Sequence, residues 1–232
     1  MRIGVHAGHN PDGKVACGAV GLIKESTEAR KVKDEVIRLL KSVGHTVYDC
    51  TVNDGTSVSD IVNKQVSKSN AQSLDLTVAI HFNAGANDKS GNGKTTGVEV
   101  LMDYAEGIKK STGERICKNV SSLGFRNRGI KTRTDLGFLN KTKAKAILVE
   151  CCFVDDKDDI KLYNYQSMAK AIAEGIHGSA ISTSSSSSSN NEGKEKLYRV
   201  LVGSYAVESN ADNMIKKLKD KGFDATKVIY YR

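Results

Sequence analysis

Tryptophan is absent from this 232-residue chain, and proline occurs once. No stretch approaches the ~20 consecutive apolar residues that cross a membrane. A proline-rich recognition segment and a helical membrane span are therefore both excluded. The start, Met-Arg-Ile-Gly-Val-His, lacks the basic and apolar segments of an export signal, so synthesis in the cytoplasm without a signal peptide is expected. Cysteine is scarce and odd in number. Cys17, Cys50, Cys117, Cys151 and Cys152 form no disulfide framework and no Cys-x-x-Cys metal site, so free thiols are expected. Acidic residues are the minority charge, 27 against 35 Lys and Arg, for a formal charge of +8. Such an excess favours polyanions. Yet no arginine-rich tract, zinc-finger spacing or aromatic RNA-binding signature occurs, so nucleic acid is not the expected partner.

What is present is an alternation of short strand-like runs with helical periods, the pattern of an α/β domain. Residues 2–6 read as a first strand, and further strands are expected near 45–52, 74–80, 97–102 and 146–149. Ala29, Val32, Val36, Leu40 and Val43 recur at steps of three and four and mark one helical face, which Gly44 is placed to end. Other helices are expected near 58–69, 111–123 and 165–177. The predicted fold is a mixed, mostly parallel central sheet flanked by helices, followed by a small α+β C-terminal repeat.

Four residues stand out because each follows, or closes a loop after, such a run: His9 in Ala-Gly-His-Asn, Glu25 in Ile-Lys-Glu-Ser, His81 in Ala-Ile-His-Phe-Asn, and Glu150 in Leu-Val-Glu-Cys. Ligands at open α/β sheets bind beyond the carboxyl ends of strands. Glu25 reaches the same edge by closing a glycine-containing loop before a helix whose expected cap is Ser26 or Thr27. Two imidazoles and one carboxylate can hold zinc on three sides and leave the fourth position open, with Glu150 left for proton transfer. Taken singly, each residue has a plainer reading: a hydrogen-bonded strand-end histidine, or a solvated carboxylate favoured by the helix dipole. Glu150 is the least bland, since a carboxylate directly after Ala-Ile-Leu-Val needs a partner or a function.

These segments, in this order, resemble the zinc-dependent N-acetylmuramoyl-L-alanine amidases of bacterial autolysins and phage endolysins. The likeness rests on Gly8-His9, Glu25, His81-Phe82-Asn83-Ala84 and Val149-Glu150, and runs from about residue 1 to 180. It implies that His9, Glu25 and His81 bind Zn2+, that Glu150 is the catalytic carboxylate, and that the substrate is peptidoglycan, its glycan strand and stem peptide. The bond cut would join N-acetylmuramic acid to the first L-alanine, and the wall would be reached after lysis or through a membrane pore. One departure is His6, where many relatives have an acid or asparagine; it can shape the site or compete for metal. The rival expectation is an inactive wall-binding or scaffolding protein with an amidase fold.

Composition changes abruptly over residues 182–196, with serine at every position from 184 to 189, and a flexible linker is expected there. Residues 197–232 then resemble one repeat of the SPOR wall-binding module, on Tyr198-Arg199-Val200, Gly203-Ser204-Tyr205, Asn210-Ala211 and Lys221-Gly222-Phe223. Strands near 197–203 and 225–231 would flank a helix with Ala211, Met214, Ile215 and Leu218 on one face and Ser209 as its cap. The family module has two strand-helix-strand halves. A single half is too small to bury a core alone, so a homodimer through this repeat is the expected remedy. The catalytic domain is placed at residues 1–181.

Asn83 is open to two readings: it orients substrate or His81, or it forms the turn after the strand. Arg126, Arg128 and Lys131 either meet anionic groups of the substrate or form a solvated basic loop. His45 and His177 read as structural, and Cys151 and Cys152 as small buried hydrophobes. Gly91-Asn92-Gly93-Lys94-Thr95 looks like a phosphate-binding loop, but the required earlier glycine is Asp88 and a strand follows. A flexible substrate-side loop is expected there instead.

Overall fold

The computed structural model describes residues 1–182 and 208–222. The chain divides into two compact units, Met1–Thr183 and Ser184–Arg232. Most of the serine-rich segment and both expected tail strands, 197–203 and 225–231, lie outside the described residues.

Six strands form the sheet of the first unit: β1 (Arg2–Ala7), β2 (Thr46–Asp49), β3 (Leu76–Asn83), β4 (Val98–Met102), β5 (Asn127–Thr132) and β6 (Lys145–Phe153). Their order is β2-β1-β3-β6-β4-β5. All neighbours are parallel except β4 and β6, which run antiparallel. The mixed, mostly parallel sheet is thus as expected. β5 was not foreseen, because Asn127-Arg128-Gly129-Ile130-Lys131-Thr132 carries one apolar residue and lies at the sheet edge, where little burial is demanded of it.

Side-chain alternation divides the strands between two cores. Val78, Ile80, Ile147, Val149, Val98 and Val100 face the larger one, which is closed by α1 (Glu25–Ser42), α3 (Gly107–Ser121) and α6 (Tyr165–His177). Ala79, Ala146, Leu148 and Leu101 point the other way, onto a small cluster completed by Val66 of α2 (Val58–Asn70) and by Phe138 and Leu139 of α4 (Gly137–Lys141). The period of two along a strand makes this division. A short helix, α5 (Lys157–Leu162), precedes α6 and is capped by Asp156, whose carboxylate accepts from the Asp158 and Asp159 N–H groups.

Two expectations about the site elements need correction. α1 begins at Glu25 itself after Lys24, with no side-chain cap, so neither Ser26 nor Thr27 caps it; the Glu25 N–H is taken by the Ala19 carbonyl instead. The helix ends as expected, with Gly44 at φ 83° donating to the Lys41 carbonyl. β3 and β6 continue beyond their apolar runs, so His81 and Glu150 lie inside strands, paired in register with each other. Ladder hydrogen bonds hold these polar residues in the strand where hydrophobicity alone would end it.

In the second unit α7 spans Glu208–Lys219. Ala211, Met214, Ile215 and Leu218 are its less exposed face, and Ser209 lies in the first turn rather than ahead of it as a cap. Glu208 suits that end through the helix dipole.

Candidate metal centre

The site has a loop-borne half and a strand-borne half. β1 ends at Ala7, and Gly8 closes onto the sheet by donating to the Ile80 carbonyl at 3.0 Å. His9 then leaves the sheet, and the chain returns at Glu25. A methyl group at Gly8 would overlap the His81 ring. One at Gly18, where φ is +81°, would lie 2.5 Å from Glu25 Oε2 and 2.6 Å from His9 Cδ2. Both positions need glycine for the imidazoles and the carboxylate to converge.

Glu25 is 3% exposed and sits between the two histidines. Its Oε1 lies 3.0 Å from His81 Nδ1 and 3.3 Å from His9 Nε2, and also accepts from the Phe82 N–H at 3.1 Å. Oε2 accepts from the Ala19 N–H at 2.8 Å. Burial pushes this carboxyl up, but the hydrogen bonds from His81 and His9 outweigh it and hold Glu25 well below the usual carboxylate range. The two rings meet edge to face, with centroids 5.0 Å apart. One donor atom from each of His9, Glu25 and His81 falls within 4.8 Å of the others.

The strand-borne half lies on the sheet face of the smaller core. His81 of β3 is in register with Glu150 of β6, and Glu150 with Glu99 of antiparallel β4. Glu150 Oε2 is buried and has no hydrogen-bond partner among the described residues. Its carboxyl is pushed up to about 8, by burial first and then by the charges of Glu25 and Glu99, with Arg133 opposing. The residues fit a zinc ion: the donors are nitrogen and oxygen, glycines clear the space for their convergence, and three carboxylates crowd one end of the sheet. A cation relieves that repulsion.

His6 stands outside the group. It is fully buried on the smaller core, edge to face with Phe138 at 4.5 Å, and its Nε2 has no partner among the described residues. Burial drops its imidazole to about 3. Asn83 does not touch His81 through a hydrogen bond; its Nδ2 donates to Glu99 Oε1 at 2.9 Å and its Oδ1 accepts from the Ala84 N–H. Of the basic candidates, Arg126 and Lys131 are exposed. Arg128 donates to Glu99 Oε2 at 2.7 Å and lies over the Phe153 ring. His45 and His177 hydrogen-bond each other at 2.9 Å. All five cysteines are free, and Cys151 and Cys152 are buried, which raises their thiols far above ordinary values.

The loop after β3 is pinned rather than flexible. Asp155 takes the N–H groups of Gly85, Ala86 and Asn87, Asp158 those of Asn92 and Gly93, Asp156 that of Thr96 and Asp159 that of Gly97. The Gly91, Asn92 and Gly93 amides, which would help cradle a phosphate, are thus turned to the Asp88 and Asp158 carboxylates. The sequence reading missed Glu99, although a charge inside Val-Glu-Val-Leu-Met is the signal of a buried functional carboxylate.

A family model described as N-acetylmuramoyl-L-alanine amidase matches residues 3–181. The chain belongs to this family. A second model, SPOR domain, matches residues 163–229. It overlaps α6, but Met168, Ile172 and Ile176 of that helix are buried in the core of the first unit, so the SPOR region proper is C-terminal. Among similar proteins, an uncharacterized protein of Clostridium perfringens is 35% identical over 76% of this chain and 52% of its own length. The endolysin of Bacillus phage SPP1 is 30% identical over 73% of this chain and 60% of its own length. The chain thus spans about half to three fifths of the length of these two relatives. The solved catalytic domain of the CD27L endolysin targeting Clostridia difficile superposes with a TM-score of 0.69 at 26% identity, covering 78% of this chain and 99% of that one.

Proposed function

We propose that the chain hydrolyses the amide between N-acetylmuramic acid and the L-alanine of the peptidoglycan stem peptide. His9, Glu25 and His81 would hold a zinc ion, and Glu150 would move the proton. The observation that carries this reading is the convergence of those three donors beside a buried, unpartnered Glu150 oxygen. Family membership and the endolysin relatives support the choice of bond.

Zinc bound there would supply Lewis acidity toward the scissile carbonyl and toward water. Glu150 Oε2, without a hydrogen-bond partner among the described residues, would in its ionised form, which a nearby cation favours, take a proton from the attacking water and return it to the departing nitrogen; such acid–base work commonly contributes ~10²–10⁴-fold in rate. The Phe82 and Ala19 amides fix the Glu25 carboxylate between the two imidazoles, where it would serve as a ligand beside them. Glu99 anchors Asn83 and Arg128 at the edge of the site, where they can meet polar groups of the substrate.

Residues 197–232 would add wall affinity, with pairing of two copies completing a two-repeat module and raising avidity rather than turnover. The test of the whole reading is metal content together with chelation and zinc restoration on purified cell walls. New L-alanine amino termini that vanish on chelation and return with zinc are expected. Wall binding without their release would favour an inactive scaffold instead.

A further inference from the structure

The backbone that presents His9 is held from outside by two side chains. Gln65 of α2, 2% exposed, donates to the carbonyls of Ala7 and Gly8. Arg30 of α1 takes up the chain where Gln65 leaves off. Its Nη2 donates to the His9 carbonyl at 2.7 Å, to Val52 O at 3.3 Å and to Asn53 Oδ1 at 2.8 Å. Its Nη1 donates to Ser26 O at 2.9 Å and reaches Asn10 O at 3.5 Å. Four of these five acceptors are main-chain carbonyls, and among the described residues Arg30 has no ion pair. An arginine used this way fastens backbone, not charge.

The segments it fastens are the ones the site depends on. His9 and Ser26 flank the loop whose two ends bring His9 and Glu25 together, and residues 52–53 follow β2 and brace the loop from the side. Asn10 adds a second brace: fully buried, it exchanges hydrogen bonds with Gly55 N and O and donates to Val15 O. The guanidinium suits its task because a rigid planar fork with five donors can span several fixed acceptors at once, whereas an ammonium is a point charge on a flexible stem. A histidine on a loop has no strand ladder to set its direction, so its direction must come from such contacts.

We infer that Arg30 is a positioning residue for the metal centre: its guanidinium locks the His9 carbonyl against the first turn of α1, and so aims the His9 imidazole at Glu25 and His81. This rests on the zinc reading above. Outer-shell partners of this kind are typically worth about 10–100-fold in metal affinity or activity.

The test uses the full-length chain, stripped of metal, with zinc affinity measured by competition against a chromophoric chelator and coordination geometry by the visible absorption of the cobalt(II) form. R30K should keep a cooperative melt while binding zinc about 10–100-fold more weakly, with an altered cobalt spectrum. N53A, which removes one exposed anchor of the guanidinium, should shift both readouts the same way by less. A folded R30K with wild-type zinc affinity and cobalt spectrum overturns the inference, even if its melting temperature falls. Should R30K not fold, N53A with both readouts unchanged overturns it. If the wild-type chain takes up no zinc, the metal reading itself fails, and that result is distinct from either variant outcome.

Discussion

His81 and Glu150 are held by the sheet, whereas the backbone around His9 is held by side chains and the Glu25 carboxylate by the Phe82 and Ala19 amides. The strand residues face each other in register across β3 and β6, and their directions follow from the pleat. The loop residues depend on Gly8, Gly18, Asn10, Gln65 and Arg30, each of which does one specific thing to the backbone or the space around it. Two halves of one site are thus positioned by different physics: a ladder that needs no particular neighbouring side chain, and a set of individual contacts that fails one member at a time.

The largest effects come from deleting members of either half. H9A and H81A should each lose both metal and wall hydrolysis, measured as zinc content and as new L-alanine amino termini. E150A should keep zinc and lose about 10²–10⁴-fold in hydrolysis; a folded E150A without zinc would show that Glu150 is a ligand and that the division of roles is wrong.

Next comes the space that the loop half requires. Gly18→Ala puts a methyl 2.5 Å from Glu25 Oε2 at a φ of +81°, so it should cost on the order of 1–3 kcal/mol in strain and weaken zinc binding as well. Thermal melts with and without zinc separate the two effects. A Gly18→Ala protein with unchanged zinc affinity would mean that the loop half tolerates movement.

A pH-dependent effect concerns His6, on the strand side. Its folded value of about 3 lies below the ordinary 6.5, so the unfolded chain binds the extra proton between those limits. Its contribution therefore leaves stability untouched above pH 6.5 and erodes it as pH falls toward 3, by on the order of 1.4 kcal/mol per unit at most. His6→Phe should flatten this part of the stability–pH curve in denaturant titrations at pH 4–6. An unchanged slope would assign the acid sensitivity to other groups.

The smallest effect on turnover should follow from removing the second unit. Every residue of the candidate site lies in Met1–Thr183, so residues 1–181 should hydrolyse soluble wall fragments at nearly the full-length rate and sediment less with intact walls. A truncated chain with no hydrolysis would couple the two units in a way the site geometry gives no reason for.

Much of this was legible in the sequence. Apolar runs located five of the six strands, the three- and four-residue periodicity located α1, and four polar residues after apolar or glycine-containing segments marked the site. Strand ends were misplaced because ladder hydrogen bonds carry polar His81 and Glu150 beyond the point where hydrophobicity stops, and the edge strand β5 was missed because it buries so little. Glu99 was legible in principle, as a charge within an apolar run.

Which polar residues stand out as candidates, and near which apolar runs they lie, was determined by the sequence alone, because burial forces a period of two or about three and a half on apolar positions and leaves the exceptions visible. How His9 is aimed was decided only by the tertiary structure. Arg30, Gln65 and Asn10 are ordinary polar residues along the chain, separated from the carbonyls they hold by as many as 58 positions, and no local pattern announces a hydrogen bond between segments that only folding brings together.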